Sequence, residues 1–396
     1  MSTVLESGCC TDNDSSSALR SANPIVTFDE ARTLAGQHGT PLLVISRGAV
    51  ARNYQALRDG LPGVEMFYAA KANPAQEILR PLCQAGSSVD VCSYGELVAA
   101  LEAGFAPENM LHTHPCKTIS NLVGCYAEGV RWFVFDNAHE VGKMAEHASD
   151  ANLILRLAVA SSSSHINLSA KFGAFEEDAV SLMLQARRAG MKVRGMSFHV
   201  GSQCRRPEDF EPALRQARRV WDRAVEAGID LEVLDVGGGF PAPYRDDAVL
   251  SLDVYCQSLS RALEATFGDL PIRVIAEPGR GICGDTATLI TRVLGKSVRN
   301  GTTWYIIDDG LYGSFSGQVF DHVEYAIMAE DAERRGLGPC IVAGPTCDSS
   351  DVVCRDQMLP DLEIGELLLV PTMGAYTSAS ASTFNGLDIA RVIGIE

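Results

Sequence analysis

Between residues 64 and 283 of this 396-residue chain, short apolar runs alternate with amphipathic segments eight times over. The runs are "VEMFYAA", "SSVDVCS", "NMLHTH", "RWFVFD", "NLILRLAV", "KVRGMSFHV", "LEVLDVG" and "IRVIAEP". Between them lie segments such as "SYGELVAALEAG" and "EDFEPALRQARRVWDRAVEAG", with apolar residues three and four apart and a Gly at the C-terminal end, the pattern of a helix with a glycine cap. Strands buried on both faces and separated by helices belong to a parallel sheet. Eight such repeats in roughly 200 residues favour a closed (β/α)8 TIM barrel, with an open doubly wound sheet as the alternative.

The pattern changes on either side of residues 64–283. From residue 284 to 396 the chain runs through "TWYIIDDGLYGSF", "CIVAGPT", "GELLLVPTMGAY" and "IARVIGI", short apolar runs broken by Gly and Pro that predict a second, mostly β domain. Residues 24–63, with "PLLVISRGAVARNYQALRDG", form a lead-in that belongs partly to that domain. Residues 1–23 have neither a basic nor an apolar leader region and are expected to be a flexible tail. The stretch "SSSSHINLSAKFGAFEED" after the fifth run is too rich in small polar residues to pack and predicts a mobile loop.

Charge narrows the partners. The net charge is −17, with no block of Lys or Arg, which argues against a nucleic-acid backbone and suits a small cationic substrate. No apolar stretch reaches the length of a membrane span. The twelve cysteines are scattered, without zinc-ribbon spacing, so reduced thiols, no metal and a cytoplasmic location are the expectation.

The C-terminal ends of barrel strands share one mouth, and polar or glycine-rich ends recur there. Lys71 ends the first run, Asp90 lies in the second, Arg156 in the fifth, and His199 ends the sixth. Gly237, Gly238 and Gly239 end the seventh, and Glu277 the eighth. A lysine held among apolar residues is expected to have a lowered pKa and an amine available for a Schiff base. Three glycines let backbone N–H groups approach an anion, and Gly279 with Arg280 adds a cation beside them. A reactive amine facing a phosphate cradle points to pyridoxal 5′-phosphate, with Glu277 against the pyridine nitrogen and His199 stacked on the ring.

The ordered set "FYAAKAN", "VDVCS", "FHVGSQ", "LDVGGGFP", "AEPGR", "DDGLYGSF", "GPTCDSSD" and "GAYTSASASTFNG" resembles the fold-type III pyridoxal-phosphate-dependent decarboxylases, the ornithine decarboxylase group above all. The resemblance runs from about residue 25 to 386. It implies an alanine racemase-like barrel with a β domain, and a homodimer with shared active sites. It implies Lys71 as the lysine that carries the cofactor, Glu277 at the ring nitrogen and His199 on the ring face. Ser202, Gly239, Gly279, Arg280 and Tyr376 would hold the phosphate, and Asp90 and Arg156 would support Lys71 and the ring. Cys347 would come from the partner chain to protonate the α-carbon, and Asp321 and Asp348 would accept the substrate's distal ammonium, with Phe320 and Phe384 beside the substrate.

The function so implied is decarboxylation of L-ornithine to putrescine and CO2. A dual lysine/ornithine specificity, diaminopimelate decarboxylation and a non-catalytic homologue like the antizyme inhibitors are the alternatives. Phe320 stands where the animal ornithine enzymes have Tyr, which leaves the substrate's chain length open. Asp rather than Glu after Cys347 disfavours the diaminopimelate branch.

Overall fold

The computed structural model describes residues 19–159, 170–245 and 247–396. Most of the N-terminal tail and the first part of the serine-rich loop therefore lie outside the described residues.

Eight parallel strands close into a barrel: Val64–Ala69, Ser88–Val91, Met110–His112, Trp132–Phe135, Asn152–Arg156, Lys192–Ser197, Val233–Asp235 and Arg273–Ala276. Closure is direct, because Val274 of the last strand pairs with Val64 of the first. The open-sheet alternative is thereby excluded. Strand residues alternate between two apolar environments, as side chains two apart share a face. Phe67, Leu111, Val134, Ile154, Val233 and Ile275 form a separate buried cluster filling the barrel. Their neighbours Tyr68, Val89, Met110, Phe133 and Leu155 belong to the large core between strands and helices.

The outer helices form for local reasons as well. Helix Tyr94–Ala103 starts where the Ser93 side chain accepts the Glu96 N–H and stops at Gly104, whose φ of 102° a side chain would resist. Helix Phe210–Glu226 turns Phe210, Ala213, Leu214, Ala217, Trp221 and Ala224 into the core at three- and four-residue spacing.

The second unit is a mixed sheet in the order Met328–Ala329, Leu367–Pro371, Ala287–Arg299, Thr302–Ile307, Gly338–Ala343, Val352–Leu359. Leu42–Ser46 joins it antiparallel to Ala287–Arg299, and Arg391–Ile395 lies parallel to Leu42–Ser46. Helix Phe28–His38 covers this region, with a Thr27–Glu30 capping box at its start and Ala31 and Ala35 packed with Leu42, Val44, Ile290 and Leu369. The two units meet at the barrel mouth. There Asn73 Nδ2 donates to Gly374 O at 2.9 Å and Tyr376 N donates to Ala72 O at 2.8 Å. Among the described residues, no helix is long and apolar enough to cross a membrane.

Candidate active site

The inward face of the barrel changes character at its C-terminal end. Two residues past the apolar interior positions Phe67, Leu111, Val134, Ile154, Val233 and Ile275 come Ala69, Thr113, Asp136, Arg156, Asp235 and Glu277. A dry floor thus lies beneath a polar ring. Asp90 belongs to this ring, since it pairs with Ala69 across the first two strands. Thr113, Asp136 and Asp235 were not singled out from the sequence. The signal for them was available: each lies in phase with a core residue of its own strand.

Above the ring is a cavity of about 210 Å³, lined by Ala69, Lys71, His199, Ser202, Gly238, Glu277, Gly279, Arg280, Asp321 and Tyr376 among others. Lys71 is not in the strand itself. The strand ends at Ala69, and a 3-10 turn, Ala70–Ala72, turns the amine into the cavity. His199 and Glu277 likewise lie just beyond their strands.

The expected lowering of the Lys71 pKa is overturned. Burial does push it down, but Asp90, Cys92, Glu277 and Tyr376 outweigh that and hold it well above the ordinary lysine value. The Nζ atom is 2.5 Å from Asp90 Oδ2 and 3.8 Å from Glu277 Oε2. A sequence can show that a lysine is surrounded by apolar residues; it cannot show two carboxylates brought to it from other strands.

Glu277 has a carboxyl neighbour, Asp235. Burial and then Glu277 push Asp235 well above the usual carboxylate range. Burial and then Asp90 also raise Glu277, with Lys71 opposing. Asp235 Oδ1 accepts the Gly237 N–H at 2.8 Å, whereas its buried Oδ2 meets no donor among the described residues. A proton on Oδ2 resolves both facts, since the protonated oxygen then donates to Glu277.

The glycine run is sterically required. A Cβ at Gly237, where φ is +68°, would lie 2.3 Å from Phe198 O, and one at Gly238 would lie 2.7 Å from Glu277 O and 3.0 Å from His199 Nε2. Gly239 has a φ of +107°, and a Cβ on Gly279 would meet Ala72 Cβ at 2.8 Å. Arg280 is buried, with its Nη2 atom 3.1 Å from Ser202 Oγ and further bonds to Tyr244 and Asp321. Its Nε has no hydrogen-bond partner among the described residues. Tyr376 adopts a left-handed φ of 55°, rare for a tyrosine, and the Arg280 guanidinium sits 4.8 Å from its ring centre. Burial, with Arg156 and Lys71 nearby, holds the His199 imidazole well below its ordinary pKa and therefore neutral. Its Nδ1 accepts the Gly201 N–H at 2.9 Å.

Arg156 stays in the ring beside His199 and Glu277, its guanidinium stacked 5.7 Å from the Phe172 ring centre. The remaining residues singled out from the sequence lie elsewhere on this chain. Cys347 is exposed, its N–H bound to Asn385 Oδ1 at 3.0 Å. Asp348 accepts the Tyr312 hydroxyl at 2.5 Å. Phe384 stacks on Tyr312 at 4.2 Å, and Phe320, 61% exposed, lines a different cavity with Leu311, Tyr312 and Val319. The expected acidic pair does not form within one chain, because Asp321 is engaged by Arg280 in the Lys71 cavity while Asp348 is on this outer rim.

The donor set fits pyridoxal 5′-phosphate. One amine, one carboxylate with a second carboxyl beside it, a buried arginine whose Nε has no partner among the described residues and a side-chain-free cradle converge on a single cavity, which is what an aldehyde, a pyridine nitrogen and a phosphate require.

Comparison with known proteins agrees with this fit. Residues 47–284 match the family model of the pyridoxal-dependent decarboxylases, pyridoxal binding domain. The chain is 40% identical over 364 residues to the lysine/ornithine decarboxylase of Selenomonas ruminantium, covering 92% of each. It is 36% identical over 345 residues to the ornithine decarboxylase of Schizosaccharomyces pombe, covering 84% of this chain and 78% of that one. The crystal structure of a lysine/ornithine decarboxylase from Vibrio vulnificus complexed with putrescine superposes with a TM-score of 0.87 at 35% identity, over 94% of this chain and 99% of the other.

Proposed function

The chain belongs to the pyridoxal-dependent decarboxylases, and from that premise we propose that it decarboxylates a small basic amino acid, L-ornithine first, releasing CO2 and putrescine. The observation that carries this reading is the convergence of Lys71, Glu277 and Arg280 on one cavity at the barrel mouth. The bound cofactor supplies an electron-withdrawing ring that accepts the electron pair left when the α-carboxylate departs.

The protein's own residues do the rest. Lys71 would be the amine that holds the cofactor, since its side chain lines the cavity. Asp90, 2.5 Å from that amine, holds its charge when it is free. Glu277 would face the ring nitrogen, with Asp235 beside it as its carboxyl neighbour. His199, held neutral, would cover one face of the ring without adding a charge. Arg280, Ser202, Gly238, Gly239, Gly279 and Tyr376 would hold the phosphate.

Cys347 and Asp348 act from the partner chain. They sit on a rim with five exposed apolar residues, Val319, Phe320, Phe384, Leu387 and Ile389, and an apolar patch of this kind favours an interface over open water. In a homodimer this rim covers the partner's barrel mouth. Cys347 then protonates the α-carbon, while Asp348 receives the substrate's distal ammonium together with Asp321. The described cysteines other than Cys204 are free thiols, in keeping with a reducing cytoplasm.

A second reading, dual use of lysine and ornithine, is favoured by the relative named for both substrates. One methylene is worth about 1–3 kcal/mol, or roughly 10–200-fold in kcat/KM. Purified protein with pyridoxal 5′-phosphate is incubated separately with L-ornithine, L-lysine, L-arginine and meso-diaminopimelate, and the amines are quantified by mass spectrometry. The expected result is putrescine at the highest kcat/KM. Cadaverine in excess refutes the ornithine preference, and bound cofactor without any turnover refutes the substrate class.

A further inference from the structure

Asp90 is fully buried, and each of its carboxylate oxygens faces one donor. Oδ2 receives Lys71 Nζ, and Oδ1 receives the hydroxyl of Thr113. No other hydrogen-bond donor reaches Asp90 among the described residues. Thr113 is itself buried and held in place, because its backbone N–H continues the sheet ladder to Val91 O at 3.3 Å. On its other side Cys92 Sγ lies 3.8 Å from Thr113 Oγ1.

Burial raises the Cys92 thiol to about 12, so it stays an S–H and can donate to Thr113. The hydroxyl proton of Thr113 is then committed to Asp90. The result is a chain of donors with one direction, from Cys92 through Thr113 to Asp90, meeting Lys71 from the opposite side.

Resting on the function proposed above, we propose that Thr113 is a positioning residue whose hydroxyl fixes the Asp90 carboxylate in the rotation that receives the Lys71 amine. A carboxylate is free to turn about its last bond, and a buried oxygen without a donor is costly enough to drive that turn. With Thr113 in place Oδ1 is satisfied where it is, and Oδ2 is left aimed at Lys71. The same hydroxyl would support Asp90 whenever Lys71 stands as a free amine.

The test reads the Lys71 amine directly and needs no cofactor. Apo protein is labelled with a trace acylating reagent across a pH series, and acylation of the Lys71 peptide is followed by mass spectrometry. The titratable groups facing this amine are Asp90 and Cys92 from the second strand and its end, His112 from the third, His199 beyond the sixth, Glu277 beyond the eighth, and Tyr376 from the β domain. Glu96 stands behind Asp90. All of them are unchanged in the variants.

Thr113→Val is expected to lower the labelling midpoint by about half a pKa unit, as part of a charge-assisted hydrogen bond is lost. Thr113→Ala, which cannot overpack, is expected to shift it the same way, and Thr113→Ser to restore the wild-type midpoint. Wild-type midpoints in whichever of the two hydroxyl-free variants folds would overturn the proposal, as would a Ser variant shifted as far as Val. Whether the wild type binds pyridoxal 5′-phosphate is a separate measurement, so failure of the functional reading cannot be confused with failure of this one.

Discussion

Asp90→Asn is the sharpest test of the Lys71 environment, because it removes one charge and preserves shape. At the 2.5 Å between Lys71 Nζ and Asp90 Oδ2, an effective dielectric of about 20 gives a gross attraction of about 6–7 kcal/mol. Lys71 retains 32% of its side-chain exposure, so water screens part of this, and Glu277 at 3.8 Å continues to attract the amine. A net change of about 2–4 kcal/mol remains, equivalent to about 1.5–3 pKa units. The direction follows from the raised value in the wild type: removing Asp90 lets desolvation pull the lysine down.

The assay is the rate at which apo protein takes up pyridoxal 5′-phosphate, followed by absorbance over a pH series, because capture requires the uncharged amine. In Asp90→Asn the midpoint should move to lower pH by about 2 units. Stability gives an independent check. A lysine whose folded pKa is raised contributes stability that is complete below the unfolded value of about 10.4 and is lost as pH rises through the folded value. The thermal-stability gap between wild-type and Asn apo proteins should therefore be widest near neutral pH and close under strongly alkaline conditions. An unmoved capture midpoint would refute the electrostatic account of Lys71.

Two further outcomes are expected. If Asp235 carries a proton toward Glu277, Asp235→Asn retains both a donor and an acceptor and should keep kcat/KM within about threefold, whereas Asp235→Ala should lose more than about tenfold; equal losses in both variants would exclude the shared proton. If Cys347 acts across a dimer interface, Lys71→Ala and Cys347→Ala proteins that are each deficient should regain activity when co-expressed, since one hybrid site then carries both native residues. Mixtures no better than the separate variants would place Cys347 outside the partner's site.

The strands were legible because a barrel strand buried on both faces is apolar throughout and short, and all eight runs read from the chain became barrel strands. The glycine cradle was legible too, since three consecutive glycines at a strand end strip the side chains from a whole turn and bare its N–H groups. Less visible were Thr113, Asp136 and Asp235, which read locally as ordinary polar residues at the ends of strands. Asp136, for example, accepts the Gly173 N–H at 2.9 Å across 37 residues of chain, a contact that local pattern does not encode.

The division between sequence and structure has a physical basis. By itself the sequence determined the eight-fold alternation and the change to a β domain, and it offered the amine, the cation and the carboxylate as candidates, because periodicity and residue chemistry are local properties. Only the tertiary structure decided which charges meet. It raised Lys71 where desolvation alone would have lowered it, tied Asp321 to Arg280, paired Asp235 with Glu277 and left Cys347 exposed on an apolar rim. Electrostatic energy depends on distances between residues far apart in the chain, and barrel closure is what sets those distances.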